Sequence, residues 1–184
     1  MAVTPSNMVP LGTKATDFNL INPLSNQLNS LEKLKGEEGT LIIFMCNHCP
    51  YVVHVIEKLV EMHENHVSKG IEFIGISAND VEKYPQDAPD KMVEFIKHYD
   101  IKFPYLYDES QEVAKAYDAT CTPDFFLFDE DLKLVYRGQM DESRPGGKAP
   151  TGANMIAAFE HLLNNKPPIE NQLPSMGCNI KWKS

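Results

Sequence analysis

Leu41-Ile42-Ile43-Phe44-Met45-Cys46-Asn47-His48-Cys49-Pro50-Tyr51-Val52-Val53 is the stretch from which the fold is read. Its first five residues are a short, unbroken apolar run. A run of that kind, without polar alternation, reads as a strand buried on both faces, at the centre of a parallel sheet. Pro50 fits the first turn of a helix because it has no N–H to donate. Val52, Val55, Ile56, Leu59, Val60 and His63 then recur at helical spacing, with Glu57, Lys58, Glu61 and Glu64 opposite. The spacing predicts an amphipathic helix from Pro50 to Ser68, ended by Gly70.

Outward from this unit, Ile71 to Ser77 reads as the next strand and Ala78 to Pro89 as a polar loop. A helix burying Met92, Phe95, Ile96 and Tyr99 follows, with Asp87 or Asp90 as its cap. Phe103 to Tyr107 is a short strand, and Ser110 can cap a brief helix burying Val113, Ala114 and Tyr117. Asp124 to Phe128 and Lys133 to Tyr136 flank Asp129-Glu130-Asp131 as an antiparallel hairpin. Thr151 caps a last helix that buries Ile156, Phe159, Leu162 and Leu163. Strands alternating with helices give an α/β fold: a central mixed sheet flanked by helices on both faces. No domain boundary interrupts it, so residues 1–184 read as one domain. Residues 1–39 form an N-terminal arm with two weak strands, near Phe18–Ile21 and Gln27–Leu31, and a surface loop over Lys33–Gly39. Residues 166–184 form a tail, expected to pack back through Ile180 and Trp182.

The chain of 184 residues is 42% hydrophobic and carries a formal net charge of −9, which fits an ordinary soluble domain. Arg137 and Arg144 are its only arginines. An acidic chain without a basic run offers no footprint for nucleic acid or an anionic membrane. No apolar run is long enough to span a bilayer. The start, Met1 to Gly12, lacks the basic and apolar parts of a signal peptide, so a cytoplasmic location is expected. No Gly-rich phosphate loop, flavin motif or metal motif is seen, so no cofactor and no metal is expected.

Four cysteines remain: Cys46, Cys49, Cys121 and Cys178. A Cys-x-x-Cys that leaves a buried strand and opens a helix has a specific use, because the unpaired N–H groups and the helix dipole stabilise an anion there. The expected anion is the Cys46 thiolate at an exposed mouth, since a thiolate and not a thiol attacks disulfides and peroxides. Cys49, one turn later and more buried, then resolves the mixed disulfide. His48 lies inside the loop, and its positive form would favour the thiolate. The pair also has plainer readings. It can be half of a zinc site with His48 and His54, although no second Cys-x-x-Cys completes four ligands. It can also be two inert core thiols. His54, His63 and His66 read as helix-surface or core residues, with His63 a hydrogen-bonded core histidine. Cys121 reads first as a small buried hydrophobe, and Cys178 equally as a buried thiol or a third, resolving cysteine.

The element order, with Cys46-x-x-Cys49 at the first strand–helix junction and Thr122-Pro123 before the strand Asp124–Phe128, resembles the thioredoxin-like superfamily. The stretches Phe103 to Asp108 and Glu112 to Tyr117 resemble its peroxiredoxin-like or redoxin branch, of the alkyl hydroperoxide reductase and thiol-specific antioxidant type. Cys46-Asn47-His48-Cys49-Pro50-Tyr51 and the C-terminal Gly177-Cys178-Asn179-Ile180-Lys181-Trp182-Lys183 resemble one group within it. The resemblance implies a thioredoxin-like fold in which the Thr122-Pro123 bond is cis and faces the cysteines. Thr122 and Pro123 would then line the substrate groove. Met45 stands where thioredoxins usually have Trp, and no acid occurs from Gly39 to Cys49 to act as a buried proton relay. In the peroxiredoxin pattern Pro-x-x-x-Thr-x-x-Cys, counted back from Cys49, Cys46 holds the Thr place and Ile42 the Pro place. The arginine of that family's site has no match.

The expected function is thiol–disulfide exchange, with Cys46, Cys49 and His48 catalytic, Thr122 and Pro123 binding substrate, and Cys121 and Cys178 as additional redox candidates. Its partners would be a protein or small-molecule disulfide, or a peroxide, and an electron donor. A thiol peroxidase on the same fold and a redox-inert binding module are the alternatives.

Overall fold

A computed structural model describes residues 3–184; Met1 and Ala2 of the expected arm and domain lie outside the described residues. The apolar run forms β4 (Gly39–Phe44), all six residues of which are buried. It lies parallel to β5 (Ile71–Ser77) and antiparallel to β8 (Asp124–Asp129). With β2 (Asn19–Asn22), β3 (Gln27–Ser30), β6 (Tyr105–Tyr107) and β9 (Leu134–Arg137) it makes a seven-stranded mixed sheet, ordered β3-β2-β6-β5-β4-β8-β9.

The two-residue period of a strand divides the core. Leu41 and Ile43 point to one face, where they pack with α2 (Pro50–His66), α3 (Pro89–Tyr99) and α5 (Ala153–Leu163). Ile42 and Phe44 point to the other, onto Phe18, Leu31, Ala114, Tyr117 and Phe126. That second face is closed by two short helices, α1 (Leu31–Leu34) and α4 (Glu112–Ala116). Among the described residues, no helix is long and apolar enough to cross a membrane.

Several local expectations are corrected. Lys33–Gly39 is not all loop: Leu31, fully buried, starts α1, and the Ser30 side chain accepts from the Lys33 N–H. Neither Asp87 nor Asp90 caps α3, which follows Ala88 without a side-chain cap; Asp87 is buried and turned toward the cysteines. Ser110 does accept from the Glu112 N–H, but the buried Asp108 anchors α4 by accepting from the Ala114 N–H. Thr151 accepts only a 3.3 Å bond from Ala153, whereas Asp141 Oδ2 accepts from both Thr151 and Gly152 at the head of α5. That helix buries Met155, Ala158 and Phe159, with Ile156, Leu162 and Leu163 only partly covered. α2 ends at His66 and tightens into a 3-10 turn, Val67–Lys69, which Gly70 closes at φ +84°. His63 is buried, yet neither ring nitrogen has a hydrogen-bond partner. Its ring meets Phe73 and Phe103 edge-on, and Nε2 lies 3.6 Å from Glu72 Oε2.

The tail does pack back, with Ile180 buried as expected but Trp182 not. The strand is β10 (Met176–Asn179), and Trp182 is 39% exposed. β10 lies between β1 (Val3–Pro5) and β7 (Cys121–Thr122), antiparallel to both, with Cys178 opposite Thr122. This second sheet needs a glycine. A Cβ on Gly177 would lie 2.0 Å from the Thr122 carbonyl oxygen and 2.6 Å from its carbon. Gly177→Ala should therefore push β10 off Thr122 and cost about 1–3 kcal/mol, as overpacking at a rigid neighbour does. Denaturant unfolding measures it, and an unchanged midpoint would refute the close approach.

Asp124 opens β8 fully buried. Its Oδ2 accepts from the Thr120 N–H and its Oδ1 has no partner. Burial, only partly offset by backbone N–H donors of Thr120, Cys121 and Phe125, pushes this carboxyl up to about 7 from 3.8. Between those values the unfolded chain ionises Asp124 while the folded protein keeps its proton, so folding stability falls as pH rises. The Asp124→Asn variant should gain stability relative to the parent from about pH 4 to pH 7. Unfolding at several pH values reads the difference, and a pH-independent gap would contradict it.

Candidate active site

The chain leaves the sheet after β4, with the Met45 N–H still donating to the Ile76 carbonyl. The turn Cys46–Cys49 is then held from outside. Asp87, in a 3-10 turn (Pro85–Asp87) after β5, accepts from the Asn47 N–H at 2.9 Å and the His48 N–H at 3.3 Å through Oδ1. Its Oδ2 accepts from Asn79 Nδ2 at 2.8 Å. The Tyr105 hydroxyl donates to Asn47 Oδ1 at 3.0 Å, and Asn47 Nδ2 donates to the Gln86 carbonyl. His48 stacks on Tyr84, and its Nδ1 lies 2.7 Å from Asp87 Oδ2, at ion-pair distance but not aligned as a ring N–H bond.

Cys49 is the residue that caps α2, so the helix dipole is aimed at it, although no side-chain hydrogen bond closes the cap. Both sulfurs converge on Thr122, which precedes Pro123 across a cis bond. Cys46 Sγ lies 3.5 Å from Thr122 Oγ1, and the Cys49 thiol donates to the Thr122 carbonyl at 3.1 Å. Cys178 Sγ is 2.8 Å from Cys49 Sγ. All four cysteines are unpaired thiols. Cys121, also fully buried, has its sulfur 3.6 Å from the Pro123 carbonyl oxygen, and burial pushes its thiol far up.

The thiolate expected on an exposed Cys46 does not fit this arrangement. Cys46 is 1% exposed and Cys49 not at all. The charge is favoured on Cys49, held down to about 5 by hydrogen bonds from Cys46, then Cys178 and Thr122, against the penalty of burial. Cys46 moves up because it gives its proton toward Cys49, because it is buried, and because the Asp87 carboxylate is near. His48, expected to favour the Cys46 thiolate directly, faces Asp87 instead, where a positive ring would offset the carboxylate.

Cys46 Sγ, His48 Nδ1 and an Asp87 oxygen lie within 4.8 Å of one another, the one such group of potential metal ligands among the described residues. His54, the other zinc candidate, points away to Ser143 Oγ at 3.0 Å. Both Asp87 oxygens already accept N–H bonds, and a cation would have to compete with them.

The groove expected beside Thr122 and Pro123 is narrowed by the chain itself. β10 of the chain itself occupies the Thr122 backbone. What remains beside Pro123 is a crevice of about 20 Å³, bordered by Tyr51, His54, Arg144 and Ser175. Arg144 donates to Gln139 Oε1 and to the Asp141 and Ser143 carbonyls. Sequence reasoning passes over Asp87, Asn79 and Tyr105, which fix the turn from other elements. No residue within Gly39–Cys49 signals a buried acid, because that acid arrives 38 residues after Cys49.

Comparison with known proteins agrees with this architecture. A solved structure of an uncharacterized conserved protein from Geobacillus kaustophilus is 50% identical, covers 100% of this chain and 97% of its own, and superposes with a TM-score of 0.96. A hypothetical protein from Sinorhizobium meliloti is 42% identical over 98% of this chain and 99% of its own, with a TM-score of 0.95. Thiol-disulfide oxidoreductase ResA from Bacillus thuringiensis subsp. konkukian is 26% identical over 132 residues, covering 72% of this chain and 71% of that protein. A putative thioredoxin from Neisseria meningitidis, 19% identical, covering 83% of this chain and 92% of its own, shares the fold with a TM-score of 0.65. The Redoxin family model matches residues 10–156, and the chain belongs to that family.

Proposed function

We propose that the protein is a thiol–disulfide oxidoreductase working through Cys46 and Cys49. The observation that carries this reading is the meeting of both thiols on Thr122, 3.5 Å from its hydroxyl and 3.1 Å from its carbonyl. An inert pair of core thiols has no need of a helix N-cap or of donors that hold one member ionised. The curated relative named thiol-disulfide oxidoreductase supports the same chemistry.

In this mechanism the pair shares one proton. The negative charge is favoured on Cys49, which on ionising gives up its bond to the Thr122 carbonyl, and Cys46 becomes the attacking thiolate as its proton passes to Cys49. The Cys46 sulfur attacks one sulfur of a substrate disulfide and the substrate's other sulfur leaves with the electron pair. Cys49 then loses its proton and attacks Cys46 of the mixed disulfide. The Cys46–Cys49 bond forms, the second substrate thiolate departs, and the substrate has gained two electrons. Asp87 and His48 are positioning residues that hold the turn and set the local charge. An electron donor re-reduces the pair. We propose that the reaction takes place in the cytoplasm, where a Cys-x-x-Cys pair serves transient rather than structural disulfides.

Peroxide is the weaker substrate in this proposal. Cys46 stands where a peroxidase places its threonine, and Arg144 spends its donors on Gln139 and two carbonyls. Losing one such donor typically slows a reaction ~100-fold or more. Stopped-flow mixing of the reduced protein should show faster reduction of a model protein disulfide than of hydrogen peroxide. Peroxide consumption at a dedicated peroxidase's rate, abolished by Cys49→Ser but not Cys46→Ser, would overturn the assignment.

The location of the charge is tested by ultraviolet thiolate absorbance against pH. The parent should show one thiolate appearing near pH 5, lost in Cys49→Ser. In Cys46→Ser it should shift upward only insofar as serine is a poorer donor to Cys49, and in Cys46→Ala further. A low-pH thiolate that survives Cys49→Ser would place the resting charge on Cys46.

A further inference from the structure

Cys178 has no part in the exchange just described, yet it is the sulfur seen nearest to Cys49. We propose that Cys178 is the third redox thiol of the site and takes over Cys49 from Cys46, so that the oxidised protein passes from a Cys46–Cys49 to a Cys49–Cys178 disulfide. This rests on the proposed exchange reaction and extends it to the route by which the protein is re-reduced.

The placement of Cys178 is built, not incidental. β10 runs antiparallel to β7 with Cys178 opposite Thr122, and Gly177 permits the strand to sit against the Thr122 carbonyl where any Cβ would collide. β1 covers the other edge of β10, pairing Val3 with Cys178. The Ser175 hydroxyl donates to the Pro123 carbonyl at 2.7 Å, and the Lys181 N–H donates to Asn79 Oδ1 at 2.9 Å, on the same Asn79 that holds Asp87. The tail strand therefore lies on the backbone edge expected to receive a substrate strand, and its cysteine is delivered to Cys49. From 2.8 Å, bond formation needs the sulfurs to close by only about 0.8 Å.

The step balances without an outside oxidant. Cys178 gives up its proton and its sulfur attacks Cys49 of the Cys46–Cys49 disulfide. The Cys46–Cys49 bond breaks as the Cys49–Cys178 bond forms, and the electron pair leaves on Cys46, which takes up a proton. Nothing is oxidised overall; the substrate disulfide supplied the oxidation earlier. The surroundings make the order of events sensible. In the reduced protein the Cys178 thiol is pushed up to about 12, by burial and by the negative Cys49 beside it, while Lys181 acts the other way. Once Cys49 is in a disulfide its charge is gone and that part of the opposition disappears. Cys178 is also the most exposed of the three, at 5% against 1% and 0%. The exchange leaves Cys46 reduced and puts the bond to be re-reduced at Cys49–Cys178, on the tail side.

The full-length reduced protein is treated with equimolar glutathione disulfide, quenched with acid at intervals, alkylated and mapped by mass spectrometry without reduction. The expected result is a Cys46–Cys49 disulfide that declines as a Cys49–Cys178 link and alkylated Cys46 appear, at constant total disulfide. Cys46→Ser and Cys46→Ala, which lack the attacking thiol, should form no Cys49–Cys178 link, and Cys178→Ala should stop at Cys46–Cys49. A parent protein that stays Cys46–Cys49 throughout, with Cys178 fully alkylated, overturns the third-thiol proposal and leaves the exchange reaction standing. Pairing of Cys178 with Cys121 overturns it as well. A parent that forms no protein disulfide at all sinks the exchange reaction and this extension together.

Discussion

The architecture of the site depends on the backbone of Thr122. Its carbonyl accepts the Cys49 thiol, its hydroxyl sits beside the Cys46 sulfur, and its strand edge is paired with β10. A carbonyl oxygen has two lone pairs, so one peptide can serve a sulfur and a neighbouring strand together. Everything that brings the three sulfurs into one cluster passes through this residue: β4 delivers Cys46, the head of α2 delivers Cys49, and the tail delivers Cys178.

Asp87 plays the corresponding part on the far side of the turn. A fully buried carboxylate without partners would be very costly. Here its oxygens accept from two turn N–H groups and from Asn79, with the His48 ring alongside. Leaving one such buried donor or acceptor unpaired costs about 1–3 kcal/mol, which exceeds what the uncapped start of α2 can contribute through side-chain bonds. The conformation of Asn47 and His48 is thus set by Asp87 rather than by the helix that follows. The same carboxylate opposes a negative Cys46, adding to the effects of its hydrogen bond to Cys49 and of its burial.

The central unit was legible in the sequence because local pattern decides it. An unbroken apolar run makes β4, a 3.6-residue stripe makes α2, and Pro50 and Gly70 mark the ends of the helical stretch. The hairpin of β8 and β9 and the cis Thr122-Pro123 bond were likewise recoverable, the latter through family resemblance. What stayed hidden is long-range. Asp87 has the same sequence signature whether it caps α3 or turns inward, and only the packing of Asn79 and the turn N–H groups selects the second. Asp141 is separated by ten residues from the helix head it serves. The tail strand was placed too late, at Ile180 and Trp182, because alternation was read without the glycine contact that fixes β10 at Met176–Asn179. The exposure of Cys46 was misread for a related reason: the helix begins at Pro50, so the cap is Cys49, and the burial of Cys46 is a tertiary fact.

Burial of all three sulfurs bears on what the site can accept. A thiolate in a low-dielectric pocket is unfavourable unless S–H and N–H donors surround it. The cluster can meet that demand with its own members, since Cys46 and Cys178 can donate to Cys49 once it ionises and releases the Thr122 carbonyl. Such a network holds one negative charge comfortably and a second one poorly, because each further ionisation removes a donor and adds a like charge. The reduced state is therefore poised for one thiolate at a time, and oxidation of any pair hands the remaining sulfur the freedom to ionise. On a surface, water would supply those donors and the three cysteines would titrate independently. Packed between β4, α2 and β10 they act as a single redox unit, with Thr122 as its fixed point.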